Sequence, residues 1–173
     1  VPLSGQAQQL GIEYQRGLHL ALAAANTEGG VAGRPIELIS YDDRYEPEAA
    51  LANTRDLIEG DGVMALIGYV GAEAANRCLP LAQKAGLAFV APLTGAESLR
   101  RRPPRNLVHV RPGLAAEARL IAQALQTLSV ARVAVLAQDD ADGAEGLAAL
   151  IEALQAAGSP APAATAKVGR NST

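Results

Sequence analysis

Few residues in this 173-residue chain have the chemistry to react with or grip a ligand, and their spacing decides which could act together. Adjacent carboxylates at Asp42 and Asp43 are of the type that binds a metal or moves a proton. Neighbours in an extended segment point to opposite faces, so the pair reads better as turn or helix-entry residues. A phosphate-receiving aspartate would want a lysine late in the chain after a strand, and Lys167 is poorly placed for that. Cys78 with His19 or His109 supplies the atoms of a nucleophile and a base. Cys78 and His19 fall inside helical stretches and His109 in a strand-like one, with no sign that any two meet. The thiol therefore reads as buried and inert. A single cysteine with two histidines offers no zinc spacing. The basic run "RRRPPR" (100–105) reads as a solvated loop.

Two glycine-bearing turns are more suggestive. "IGYVGAEA" (67–74) sets Gly68 and Gly71 around a strand-to-helix junction. There the N–H groups of a helix start can meet an anion such as a carboxylate, although a compact turn with no ligand has the same spacing. Neither G-x-x-x-x-G-K-[ST] nor G-x-G-x-x-G is present. "PLTGAESL" (92–99) offers the Thr94 hydroxyl and the backbone groups of Leu93 and Gly95. Thr94 or Ser98 serves equally well as the cap of a short helix.

The elements that carry these turns follow from periodicity. Residues 10–28 are predicted as an amphipathic helix, with Ile12, Leu18, Leu22 and Ala25 at helical spacing and Gly29-Gly30 as the stop. "IELISY" (36–41) alternates like a strand. A helix opens at Pro47 and runs to about Glu59. "VMALIG" (63–68) and "LAFVA" (87–91) are apolar runs typical of strands buried on both faces, with a helix from about Ala72 to Ala85 between them. "NLVHV" (106–110), a helix over 114–128, "RVAVLA" (132–137), a helix over 142–158 and a strand near Ala166–Val168 complete the pattern. Alternating strands and helices mean βαβ units and a parallel sheet. In such sheets ligands bind beyond the carboxyl ends of the strands, the address of "YDDRYEP", "GYVGAEAAN" and "APLTGAES".

Composition sets the class. Apolar residues make up 49% and charged residues 19%, which is a globular balance, and the 3% aromatic content leaves the core to Ala, Leu, Val and Ile. A net charge of −3 gives no support to nucleic-acid binding. The lone cysteine excludes an internal disulfide, no apolar run approaches the ~20 residues of a membrane span, and no signal peptide is visible. No convergent nucleophile and base, nor an acidic pocket with a lysine, supports an α/β enzyme or a receiver domain. The chain opens on "VPLSGQ" and closes on "KVGRNST", and it reads as a fragment.

Taken in order, "PLSGQAQQLGIEYQRGLHLALAAANTEGGVAGRPIELISYDDRYEPEAALAN", "LIGYVGAEAANRCLPLAQKAGLAFVAPLTGAESLR", "HVRPGLAAEARLIAQAL" and "RVAVLAQDDADGAEG" resemble the type I periplasmic binding proteins of the leucine/isoleucine/valine-binding kind. The marks are P-L-S-G, N-x-x-G-G-V-x-G-R, D-D-x-Y-x-P and T-G-A-x-x-L-R in combination. The resemblance implies an α/β fold: a parallel-sheet, Rossmann-like lobe of a two-lobed periplasmic-binding-protein type I fold, truncated. It makes residues 1–111 most of lobe one, without its first strand and its C-terminal return segments, and 112–173 the start of lobe two. It implies a solute-binding protein of an ABC transporter, with an amino acid or related small polar solute held between lobes, the permease as partner, no catalysis and no cofactor. Its location would be periplasmic or extracellular, after removal of a signal peptide absent from this sequence. The alternative on the same fold is a ligand-sensing regulatory domain. A truncated lobe would also be prone to pair with a second copy through exposed strand edges.

Carried over by position, the resemblance implies that the turns Gly71, Ala72, Glu73, Ala74 and Leu93, Thr94, Gly95 hold the carboxylate and ammonium of the ligand. Ala72 stands where a serine often makes contact, leaving only its N–H. Leu93 matches a position that offers its carbonyl to the ammonium. A hydroxyl common at Gly95 is missing, with Thr94 beside it as substitute. Leu10 and Asp142 stand where aromatics often line the cleft. Glu73 and Asp142 add negative charge, which suits a cationic or amide ligand.

Overall fold

The computed structural model describes residues 1–169 and divides the chain into two compact units, Val1–Leu93 with Pro104–His109, and Thr94–Pro103 with Val110 onward. In the first unit, α1 (Gln8–Thr27) ends just before Gly29-Gly30, as the stop signal predicts. α2 (Pro47–Arg55) starts at its proline and continues into a single wider π-type turn, Asp56–Gly60. Then come β1 (Ala65–Ile67), α3 (Ala72–Lys84), β2 (Ala88–Val90) and β3 (Leu107–Val108). The three strands form one parallel sheet in the order β1-β2-β3, with Leu66 opposite Phe89 and Phe89 opposite Leu107.

Burial explains the arrangement. Phe89 is fully buried at the sheet centre, its ring stacked on Tyr69 with centroids 4.5 Å apart. α3 turns Ala75, Cys78, Leu79 and Ala82 inward, and small side chains let a helix pack close to a sheet that has few aromatics. Thr54, also fully buried, shares a 2.6 Å hydrogen bond with the Tyr69 hydroxyl, so α2 delivers the polar partner that a buried tyrosine needs.

The expected strand at 36–41 joins no ladder among the described residues, and Ile36 N and O are bonded instead to the Asn26 side chain (2.7 and 2.8 Å). Alternation made the segment competent for a sheet, yet a strand exists only where a neighbour supplies hydrogen bonds, and among the described residues no strand pairs with it. Val1 supplies a rung on that side: its N donates to Tyr41 O (3.3 Å) and its O accepts from Asp43 N (3.2 Å).

The second unit contains a short 3-10 turn, Glu97–Leu99, then α4 (Leu114–Thr127), β4 (Ala134–Gln138), α5 (Ala141–Ala156) and β5 (Ala164–Val168). β4 and β5 pair in parallel from Ala134–Ala164 to Gln138–Val168, a βαβ unit built around α5. Its core is a seam of small residues, Ala118 and Ala122 on α4 against Ala149, Ala153 and Leu154 on α5, flanked by Leu114, Leu125 and Leu150.

Candidate functional site

In the first unit, β1 and β2 are adjacent, so the turns that follow them lie side by side at the carboxyl end of the sheet. A bridge between Val70 and Leu93 joins the two turns. Leu93 N donates to Tyr69 O (2.7 Å), and Gly71 N donates to Leu93 O (3.2 Å). The structure thus brings Gly71 and Leu93 together, and each spends a backbone group on the other. The Leu93 carbonyl retains a second lone pair.

Gly71 is the N-cap of α3, with φ 89° and ψ 151° and no side-chain capping bond. That backbone region is open essentially only to glycine. It turns the chain so that the first turn of α3, with the N–H groups of Glu73 and Ala74 that have no intrahelical acceptor, lies at the end of the sheet. Ala72 and Ala74 are buried; Glu73 is exposed, 3.9 Å from Arg77, which also pairs with Glu48 at 2.7 Å. Much of the Glu73 charge is therefore answered on its own surface.

Two tyrosines border these turns that sequence reasoning had not singled out. A Cβ placed on Gly71 would lie 3.2 Å from the ring of Tyr45, and one on Gly68 would lie 2.9 Å from the ring of Tyr14. The Tyr14 hydroxyl donates to Ala91 O (2.9 Å). Burial pushes its pKa up, so it stays a donor at neutral pH. Ala91, directly after β2, has φ 50°, a strained conformation for a non-glycine residue. Tyr45 stood inside the D-D-x-Y-x-P motif, which was its only signal. Leu10 lies on an exposed part of α1, half open to solvent.

The carboxylates of "YDDRYEP" are occupied by their own turn, as the sequence suggested. Asp42 accepts from Leu3 N (2.7 Å), Ser4 N (3.2 Å), Ser4 Oγ (2.5 Å) and Arg44 N (2.9 Å). Burial acts to raise its pKa, but the bonds from Ser4, Arg44 and Leu3 outweigh it and hold the carboxyl below the usual range. Asp43 accepts from Tyr45 N at 2.9 Å. Cys78 is fully buried in α3 and burial pushes its thiol up, away from the thiolate.

In the second unit, Thr94 is buried and its Oγ accepts from Ala96 N (3.1 Å), a local turn rather than a cap on Glu97–Leu99. Gly95 packs against the start of α4: its O accepts from Leu114 N (2.8 Å), and a Cβ there would lie 2.9 Å from Leu114 Cγ. A serine side chain at 95 would displace Leu114. Glu97 Oε1 accepts from Ala115 N (3.0 Å), and Glu97 N donates to Glu145 on α5 (3.2 Å). Arg100 corrects the reading of "RRRPPR" as wholly solvated: its Nη2 donates to Thr94 O (3.0 Å) and Pro112 O (3.2 Å). Asp142 is half-buried in the first turn of α5, and the helix is capped by Asp140, which accepts from Gly143 N at 2.9 Å.

The family described as "Periplasmic binding protein" matches residues 1–172. A Leu/Ile/Val-binding protein from Citrobacter freundii is 29% identical over 112 residues, 65% of this chain and 30% of that protein. A crystal structure titled as a substrate-binding periplasmic protein from Ralstonia solanacearum has a TM-score of 0.89 at 31% identity, covering 99% of this chain and 48% of that one. A solute binding protein of an ABC transporter from Rhodopseudomonas palustris BisB5, solved with 3,4-dihydroxy benzoic acid, has a TM-score of 0.86 at 26% identity, covering 97% and 45%. The chain spans about half the length of these solved structures.

Proposed function

The chain belongs to the periplasmic binding protein family, and from that premise we propose that it is part of an extracytoplasmic solute-binding protein serving an ABC transporter. Its ligand is an amino acid or a related small solute bearing a carboxylate. It performs no catalysis, and its partner is the transporter's permease. The observation that carries this reading is the pair of turns at the carboxyl end of β1 and β2. Gly71 fixes the α3 N-terminus beyond β1, and the Leu93 carbonyl, which keeps a lone pair, lies beside it. A helix N-terminus favours a carboxylate through its N–H groups and dipole, and a carbonyl favours an ammonium. The loss of a hydroxyl at Ala72 and Gly95 removes hydrogen bonds worth roughly 1–3 kcal/mol each. The relatives named for Leu/Ile/Val and for an aromatic acid therefore bracket the ligand without fixing it.

Titration calorimetry on the natural full-length protein tests this, with free amino acids, their amides and hydroxybenzoates as ligands. The acid is expected to bind and its amide to bind at least ~10-fold more weakly, since one charge-assisted bond is worth about 1.5–3 kcal/mol. Equal binding of an acid and its amide would remove the carboxylate from the α3 N-terminus and overturn the assignment.

A further inference from the structure

The start of α3 carries no hydroxyl of its own: Gly71 caps it, and Ala72, Glu73 and Ala74 form its first turn. A hydroxyl reaches it from the turn that leads into α2. We propose that Tyr45 is a specificity residue of the candidate site, its phenol donating a hydrogen bond to the ligand carboxylate beside Gly71. This assignment rests on the solute-binding reading of the two turns and adds to it a side chain from outside them.

The first support is position. A Cβ on Gly71 would lie 3.2 Å from Tyr45 Cε2, 3.3 Å from the hydroxyl oxygen and 3.6 Å from Cζ. The tip of the phenol therefore meets the helix start, and the half-buried residue stays partly open to a solute. A hydroxyl offers one proton and two lone pairs, so it can touch the protein and a ligand at once.

The second support is the backbone that carries the ring. Arg44 and Tyr45 have φ 53° and 64°, a region that turns ordinarily give to glycine or asparagine. The Asp42 and Asp43 carboxylates accept from Arg44 N and Tyr45 N, each at 2.9 Å, and hold both residues there. Glycine at 45 would relieve that strain, so the turn keeps a bulky residue for its side chain. The third support is anchoring. Pro47 opens α2 two residues later, and Thr54 on α2 shares a buried 2.6 Å hydrogen bond with Tyr69, two residues before Gly71. Glu48 also pairs with Arg77 on α3 at 2.7 Å. The helix that follows Tyr45 is thus fixed to the sheet and the helix that its ring faces.

The chemistry follows from the pairing. The N–H groups and dipole of a helix start favour negative charge. A phenol donor beside them adds a directed bond that is stronger to a carboxylate than to a neutral carbonyl. Tyr45 accordingly selects the head of the ligand, an acid over its amide, and leaves the choice of tail to other residues.

Titration calorimetry on the natural full-length protein tests this, with wild type and Tyr45→Phe each given leucine, leucinamide, benzoate and benzamide. Tyr45→Phe removes one oxygen and keeps the ring on Gly71. The acid that binds wild type should weaken at least ~10-fold and its amide less, narrowing the acid-to-amide preference at least ~3-fold. A hydroxyl that only braces the turn would weaken acid and amide alike. Equal losses, or no loss, overturn the assignment. Wild type is measured first. If it takes neither acid, or takes acid and amide equally, the reading of the two turns falls and this assignment with it. If it prefers the acid and Tyr45→Phe keeps that preference, only the role of Tyr45 falls. Should Tyr45→Phe fold poorly, a ring-fluorinated tyrosine at position 45 replaces it, since it keeps ring and hydroxyl and is the stronger donor. At slightly acidic pH, where the phenol holds its proton, it should tighten the acid relative to the amide, and an unchanged preference overturns the proposal.

Discussion

Replacing Gly71 with alanine tests whether backbone geometry, rather than any side chain, builds the α3 N-terminus. Two costs are expected. At φ 89° and ψ 151° a Cβ is strained whatever surrounds it, at ~1–3 kcal/mol. The new methyl would also stand 3.2 Å from Tyr45 Cε2 and 3.3 Å from its hydroxyl oxygen, inside the ordinary ~3.5–4.0 Å contact distance. The ring end can shift, so this second cost is smaller, at most ~1 kcal/mol. A total loss of ~2–3 kcal/mol should appear as a lower urea midpoint at an unchanged slope, followed by circular dichroism because the chain has no tryptophan. Gly29→Ala supplies the comparison: φ is 102° and nothing lies within 4 Å of the added Cβ, so only the backbone strain is present. Tyr45→Ala in a cycle with Gly71→Ala should recover the contact part and leave the backbone part. A loss below ~0.5 kcal/mol in Gly71→Ala would mean that the turn has another cheap conformation, and the account of the helix start would fail.

Further outcomes follow from the second unit and from the amino-terminal turn. Gly143→Ala should cost at least ~2–3 kcal/mol, because its Cβ would fall 1.9 Å from the Gln138 carbonyl oxygen at the end of β4, and two backbones must separate. Gly146→Ala, three residues on in the same helix with open space around it, should instead gain ~0.5–1 kcal/mol, and thermal melts of the two variants side by side decide the contrast. Asp42→Asn should cost about 1–3 kcal/mol at neutral pH by weakening the bonds from Leu3, Ser4 and Arg44. The folded pKa of Asp42 is depressed, so its contribution is present above the unfolded carboxyl value near 3.8 and is lost as pH falls through the folded value. The stability difference between wild type and Asp42→Asn should therefore shrink on acidification below about pH 4, and a constant difference would contradict it.

Elements whose identity rests on their own composition were legible in the sequence. The apolar runs at 63–68 and 87–91 become β1 and β2, shortened at each end, but the expected burial on both faces holds only at Leu66 and Phe89: Met64 and Ile67 stay exposed. Ile36–Tyr41 was equally legible as a segment but not as a ladder, since hydrogen bonds belong to pairs of strands. The candidate turns were found because strand ends are predictable. The bond between Gly71 and Leu93 was not, because it depends on β1 and β2 being neighbours. Arg100 was hidden among three other arginines in a run that looks solvated, and only the fold puts the carbonyls of Thr94 and Pro112 in its reach. Tyr14 and Tyr45 were hidden differently, each brought to a glycine by chain reversals that periodicity does not report.

The run Leu93-Thr94-Gly95, which the family resemblance makes one ligand-holding turn, is committed in two directions. Leu93 belongs to the first unit, its N and O both bonded to the turn after β1. Thr94 and Gly95 belong to the second, held by Arg100 on the Thr94 carbonyl and by Leu114 N on the Gly95 carbonyl. Substitutions here consequently separate by mechanism. Changes at Gly95 press on Leu114 and the start of α4, whereas changes at Gly71 press on the α3 start through Tyr45. The two glycines resemble each other in sequence and in position after a strand. One is glycine because of its φ, the other because a helix packs on it, and only the first has a conformation that a larger residue cannot adopt cheaply.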